Sequence, residues 1–245
     1  MAGKSALVTG GSRGIGLGIA TRLAELGYSL TITARTKEAL DAVEPTLRAA
    51  GAPHVVTVSA DLADRESADK IVAVHREHFE SMDALILNAG VGTAGSIADY
   101  PMRRFDKTLD VNLRAPFALL QSSMPLLRAA AEKNPDRGAK VIALASLAGV
   151  YSEAGLGIYG ATKAAMLSLI DTLNSEESGN GVTGTSIAPG YVDTDMSDWT
   201  KDKIPADTMI QVADIVELAT SILNLSSRAV VPRIVVTRAG AGLGA

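Results

Sequence analysis

The chain has no cysteine, which excludes disulfide staples and every thiolate metal site. Aromatic residues are scarce, with one tryptophan, five tyrosines and three phenylalanines among 245 residues, so a core has to be built from alanine, valine, leucine and isoleucine. No apolar run approaches the ~18 residues that a membrane helix needs. The beginning, Met-Ala-Gly-Lys-Ser-Ala-Leu-Val-Thr-Gly, has no apolar stretch of signal-peptide length before glycines intervene, and a soluble cytoplasmic protein is expected. Neither sign of charge dominates: 23 Lys and Arg stand against 27 Asp and Glu, a net charge of −4 without the basic footprint of a nucleic-acid binder. There are three histidines, His54, His75 and His78. His75 and His78 lie three apart on a predicted helix beside Arg76, Glu77 and Glu80, which reads as a solvated helix face rather than a zinc pair, and no metal is expected. What is plentiful is glycine, 23 residues, in a chain that is 47% hydrophobic. That apolar share argues against disorder, and the glycines mark places where backbone comes close to something.

Short apolar runs of β type recur at Ser5 to Thr9, Ser29 to Ala34, His54 to Ser59, Ala84 to Asn88, Lys140 to Ala145, Val182 to Ala188 and Val230 to Thr237. Between most of them the apolar spacing is helical, as in Ile19, Leu23 and Leu26 or Ile215, Leu218, Ala219 and Ile222. Several runs are apolar throughout rather than alternating, which suits parallel strands covered on both faces. With no linker or charge block to divide it, the chain is expected to be one α/β domain over residues 1–245, a doubly wound, Rossmann-like parallel sheet of seven strands. Ligands in such sheets sit at the carboxyl ends of the strands, so the residues that follow each strand carry the chemistry.

After the first run comes Thr9-Gly10-Gly11-Ser12-Arg13-Gly14-Ile15-Gly16, opening a helix. Backbone N–H groups in such a turn can approach a pyrophosphate, and the helix N-terminus adds partial positive charge; glycine turns of this kind also serve packing alone. An NAD site usually has an acid after the second strand for the ribose 2′-hydroxyl. Here Ala34 and Arg35 stand there and the first acid is Glu38. Arg35, with Arg13 closing from the glycine turn, suits a 2′-phosphate, since guanidinium forks match phosphate geometry, and NADP is the expected cofactor.

Tyr159-Gly160-Ala161-Thr162-Lys163 opens a helical stretch, placing tyrosine and lysine on one face. A free tyrosine has a pKa of about 10, and lowering it about three units takes roughly 4 kcal/mol of preference for the phenolate. A neighbouring ammonium and a nicotinamide cation would supply it. Ser146, at the end of the fifth run, is placed to hold a carbonyl oxygen beside the tyrosine.

Taken in order, Thr-Gly-x-x-x-Gly-Ile-Gly, Asn88-Ala89-Gly90, Asn112, Ser146, Tyr159-x-x-x-Lys163 and Pro189-Gly190 resemble the short-chain dehydrogenase/reductase family over about residues 4–237. The resemblance implies a pyrophosphate turn at Gly10, Ser12, Arg13, Gly14, Ile15 and Gly16, and an adenine-binding acid at Asp61 with Leu62 beside it. It also implies a cofactor-lining segment at Asn88, Ala89 and Gly90, and a nicotinamide-capping loop at Pro189, Gly190, Val192 and Thr194. The implied catalytic tetrad is Asn112 holding a water, Ser146 orienting the carbonyl, Tyr159 as general acid or base, and Lys163 binding the nicotinamide ribose and lowering the tyrosine pKa. The family further implies a homotetramer or dimer paired through two long helices, near residues 102–132 and 158–178.

Leu147, Val150, Tyr151, Leu156, Val91, Thr93, Tyr191, Met196 and Trp199 are expected to line the substrate pocket, and they are mostly apolar or neutral. The expectation is therefore an NADP(H)-dependent reductase of an apolar ketone or aldehyde, or the reverse reaction. A 3-oxoacyl-[acyl-carrier-protein] reductase is the alternative, with Lys201, Lys203, Arg103 and Arg104 able to meet an acidic carrier. Against it, Thr237-Arg238-Ala239-Gly240 replaces the Asp-Gly-Gly turn of those reductases. An NADP-binding regulator without turnover is a third reading, disfavoured because Tyr159 and Lys163 are both present.

Overall fold

The computed structural model describes residues 3–241. Seven strands, β1 (Ser5–Thr9), β2 (Ser29–Ala34), β3 (Val55–Ser59), β4 (Ala84–Leu87), β5 (Ala139–Leu144), β6 (Val182–Pro189) and β7 (Arg233–Val236), form one sheet in the order β3-β2-β1-β4-β5-β6-β7. Every pairing is parallel. The helices are α1 (Gly14–Glu25), α2 (Lys37–Ala49), α3 (Ser67–His78), α4 (Met102–Leu109), α5 (Ala115–Lys133), α6 (Gly157–Glu177) and α7 (Val212–Leu223). This is the expected doubly wound, Rossmann-like α/β domain, with strand order reversing between β1 and β4.

The largely apolar character of the strands follows from their two covered faces. Ala6 and Val8 of β1 join Ile32, Ile86 and Ile142 in a core shared with Ile19 and Leu23 of α1, Leu40 of α2 and Ile215 of α7. The intervening Leu7 joins Leu85 and Val141 on the other face, against Ile71 of α3, Leu119 of α5 and Ile170 of α6. Alternate residues of one strand thus fill opposite cores, and the polar residues among them, such as Ser5, Thr9, Thr31 and Thr33, are buried too.

The boundaries differ from the sequence reading where polar chemistry intervenes. β4 stops before Asn88, whose backbone N–H donates to the Thr9 hydroxyl at 3.0 Å instead of joining the ladder. β7 starts only after Pro232, which has no N–H to give. The expected long helix from 102 is broken: a π-helical turn at Asp110–Arg114 separates α4 from α5. His75 is not on a solvated face. It is wholly buried, with Nδ1 2.8 Å from the Thr31 hydroxyl and Nε2 3.4 Å from both the Ser5 hydroxyl and the Ser81 carbonyl. His78 is the exposed member of the pair, its ring bonded to the Val74 carbonyl.

Candidate active site

The carboxyl ends of β1, β4, β5 and β6 converge on one groove. Thr9 organises its floor. The Thr9 hydroxyl donates to the Ile86 carbonyl at 3.1 Å and accepts from the N–H groups of Asn88 and Ala89, so β1 and β4 end in a fixed relation. The Asn88 amide then donates to the carbonyls of Thr9 (3.0 Å) and Gly10 (3.1 Å). Gly10 has φ +63° and Gly14 φ +54°, a region that favours glycine. Gly16 is needed for a different reason: a Cβ there would lie 2.3 Å from the Gly10 carbonyl oxygen. Gly11, beside them, is buried against Ile32.

α1 begins at this turn with no side-chain cap from Arg13 and no acid in its first turn. Its first N–H groups and its positive dipole end are therefore left for an anion. Ser12 and Ile15 are half-buried and Arg13 is exposed. Arg35 is exposed at the end of β2. Asp61 is also exposed, its carboxylate accepting from the Ala63 N–H at 3.0 Å, and Leu62 beside it is buried.

The polar centre of the groove is set by α6. Gly149 and Gly160 let the turn after Ser146 lie directly on this helix. A Cβ on Gly149 would be 2.7 Å from the Lys163 carbonyl carbon, and one on Gly160 would be 2.6 Å from the Ala148 oxygen. Ser146, whose hydroxyl accepts from the Ala148 N–H at 3.2 Å, is thereby brought beside Tyr159, close enough to act on its pKa. Neither glycine stands out in the sequence as a site residue, although Gly160 lies inside the Tyr-x-x-x-Lys motif. The Lys163 ammonium lies 5.8 Å from the Tyr159 ring centroid and donates to the Leu144 carbonyl at 2.6 Å. Lys163 is 5% exposed, and burial pushes its pKa down to about 8. Among the described residues Leu144 supplies its only hydrogen bond, so two of three ammonium donors are free.

Tyr159 departs from the expected direction. Burial raises its pKa above the ordinary tyrosine range, the Ser146 hydroxyl pulls it down, and Glu153 adds to the rise. The chain by itself therefore holds Tyr159 as the neutral phenol. Asn112 lies in the π-helical turn with its amide already engaged: Oδ1 accepts from the Val91 N–H at 2.8 Å and Nδ2 donates to the Val91 carbonyl at 3.0 Å and the Thr162 hydroxyl at 3.3 Å. Gly90 brings these groups together, since a Cβ on it would lie 3.3 Å from Asn112 Oδ1 and 3.5 Å from Lys163 Nζ.

The loop after β6 covers the groove. Pro189 and Gly190 continue the strand, the Gly190 N–H donating to the Val236 carbonyl at 2.8 Å. Val192 is buried, and Thr194 Cγ2 would be 3.5 Å from a Cβ on Gly14. The next residue, Asp195, takes the Arg13 guanidinium at 2.8 Å. Lys201 is occupied by Asp193 and Asp198. Trp199 is 60% exposed and meets Tyr191 edge to face at 6.3 Å, while the Tyr191 hydroxyl donates to Glu153 Oε1 at 2.7 Å. Asp195 and Glu153 are site residues that sequence reasoning missed, and no local motif signals either.

A parallel sheet of order 3-2-1-4-5-6-7 carrying these groups at its carboxyl ends agrees with the comparison to known proteins, where a family model described as short chain dehydrogenase matches residues 4–204. The chain belongs to the short-chain dehydrogenase family. It is thus an oxidoreductase of that family. It is 32% identical over 211 residues to the 3-oxoacyl-[acyl-carrier-protein] reductase FabG of Staphylococcus aureus, covering 85% of this chain and 82% of that one. Among solved structures, a short chain dehydrogenase from Burkholderia cenocepacia in complex with NADP is 30% identical with a TM-score of 0.84, covering 100% of this chain and 99% of the other. The 3-oxoacyl-[acyl-carrier protein] reductase from Brucella melitensis in complex with NAD is 25% identical with a TM-score of 0.85, covering 97% and 96%. No helix among the described residues of this short-chain dehydrogenase is long and apolar enough to cross a membrane.

Proposed function

We propose that this short-chain dehydrogenase reduces a largely apolar ketone or aldehyde to an alcohol, or runs the reverse reaction, with NADP(H) as cofactor. The observation that carries this reading is the buried Lys163 ammonium. It sits beside Tyr159, spends one donor on Leu144 and keeps two for a ligand. A bound nicotinamide dinucleotide supplies or accepts the hydride. Gly10 to Gly16 and the uncapped start of α1 suit its pyrophosphate, Asp61 and Leu62 its adenine, and Asn88 to Gly90, Pro189, Gly190, Val192 and Thr194 its nicotinamide half. Arg13 and Arg35 suit a 2′-phosphate, and the acid that would favour NAD is missing after β2.

Ser146 and Tyr159 hold the carbonyl oxygen of the substrate between their hydroxyls. In reduction Tyr159 delivers its proton to that oxygen as the carbonyl carbon receives hydride; in oxidation it takes the proton back. The rise in its pKa keeps the phenol protonated across neutral pH, which suits the acid role. Lys163 stabilises the phenolate left behind. Because the Asn112 amide is spent on Val91 and Thr162, a water on the proton path would be held by its backbone carbonyl, in a π-helical turn where regular bonding is interrupted.

Val91, Leu147, Val150, Tyr151, Met196 and Trp199 give the rim an apolar character, which suits an apolar substrate. Reduction of a 3-oxoacyl thioester is the second reading, favoured by the 32% identity to the Staphylococcus aureus reductase. Occupied Lys201 and the Thr237 to Gly240 segment weigh against it. Ketones, aldehydes and an acetoacetyl thioester, each offered with NADPH and NADH, separate the two. Tyr159→Phe is expected to cut turnover by about a thousandfold or more while nucleotide binding persists. Turnover near the wild-type level would remove Tyr159 from the chemistry.

A further inference from the structure

Two loops flank the reacting groups. One follows Ser146 and carries Glu153; the other follows β6 and carries Tyr191. They are tied across the mouth by the 2.7 Å bond from the Tyr191 hydroxyl to Glu153 Oε1. Tyr191 is itself steadied by the edge of Trp199 at 6.3 Å. An otherwise exposed glutamate is thereby pinned at a fixed place rather than left to wander in solvent. Its charge is felt by both tyrosines, because it raises the pKa of Tyr159 and of Tyr191. The other charge acting there is Arg238, which opposes the rise at Tyr191 and does not figure at Tyr159. Lys201, the nearest cation of the covering loop in sequence, is neutralised by Asp193 and Asp198.

We propose that Glu153, anchored by Tyr191, is a substrate-selecting residue that disfavours carbonyl compounds bearing an anionic group and favours those bearing an ammonium group. This rests on the carbonyl-reductase reading. Catalysis does not pass through Glu153, which acts on the approach and seating of the substrate. A single charge at the rim, partly screened by water, is worth about a three- to tenfold difference between oppositely charged substrates.

The test uses three acetophenones that share a skeleton: 4-acetylbenzoate, 4-methylacetophenone and 4-acetyl-N,N,N-trimethylanilinium. The readout is the ratio of kcat/KM between Glu153→Gln and wild type for each, which cancels their intrinsic reactivities. The ratio is expected to be highest for the benzoate and lowest for the anilinium, with a spread of about three- to tenfold that shrinks in about 0.5 M NaCl. Tyr191→Phe, which frees the carboxylate, is expected to narrow the wild type's own discrimination in the same sense. Equal ratios for all three ketones, or a spread indifferent to salt, would overturn the proposal and leave the reductase reading standing. Turnover of none of the three by the wild type, with either nucleotide, would count against the reductase reading and take the proposal down with it.

Discussion

The two ends of the sheet bury charge-bearing side chains to similar depth and use them differently. At the carboxyl ends Lys163 is 5% exposed, and at the amino ends Lys140 is 3% exposed and His75 wholly buried. Burial lowers the pKa of all three, Lys163 to about 8 and His75 to about 4. At the amino ends the polar atoms are answered within the chain. Lys140 donates to the Thr183 hydroxyl and the Ser226 carbonyl, and His75 meets Thr31, Ser5 and Ser81. Among the described residues Lys163 has only Leu144. A buried ion with one partner costs stability that a purely structural group would not demand. That unanswered capacity, rather than burial itself, separates a site from a core.

Removing each lysine in turn separates the two ends. Lys163→Met is expected to lower turnover by at least about a hundredfold and to raise the stability of the ligand-free chain by about 1–3 kcal/mol, because a cation is no longer buried. The sign has a pH signature. The folded-state pKa is depressed, so the folded chain holds fewer protons than the unfolded one between about pH 8 and the ordinary lysine range, and wild-type stability climbs with pH across that window. The variant is expected to lack this climb. Lys140→Met, which strands the Thr183 hydroxyl and Ser226 carbonyl, is expected to bring no gain. Thermal melts at about pH 7.5, below that window, and about pH 10, near its top, decide it; equal shifts for the two variants would mean that the ends do not differ in this way.

His75 tests the amino end alone. Its depressed pKa means that stability is complete above the unfolded value near 6.5 and is lost as pH falls toward about 4, on the order of 3 kcal/mol in all. His75→Gln is expected to start lower, having disturbed the bonds to Thr31 and Ser5, but to flatten that acid slope. Denaturant titrations at about pH 7 and about pH 4.5 measure it. An unchanged slope would assign the acid sensitivity to another group, and not to the neighbouring Asp83, whose raised pKa favours the folded chain as pH falls.

How far each end can be read in advance follows from the range of its contacts. Strand apolarity reports burial on two faces, so the sheet is legible, and Ser146, Tyr159 and Lys163 stand out because they fall at a strand end and within one helix turn, where the proposed chemistry would need them. His75 reads as surface because its helix shows charged neighbours, while the partners that bury it, Ser5 and Thr31, lie 70 and 44 residues away. Asn88 ends β4 early through a bond to Thr9, 79 residues back. The ties across the mouth, Glu153 to Tyr191 and Arg13 to Asp195, are loop contacts with no periodicity to betray them.

The tie from Arg13 to Asp195 is a weak one. Arg13, expected to meet a 2′-phosphate, is held in the ligand-free chain by Asp195, with both side chains 67% exposed. So exposed a pair is worth about 0–1 kcal/mol, and a phosphate that takes Arg13 has to displace the carboxylate. Asp195→Asn removes the competitor without touching the guanidinium. NADPH affinity is expected to rise about two- to fivefold, the equivalent of that pair energy, while NADH, which has no 2′-phosphate, gains nothing. Fluorescence titration of each nucleotide reads both constants. An equal change for the two would mean that Arg13 does not attend to the 2′ position, and would leave Arg35 as the residue on which the proposed preference for NADP rests.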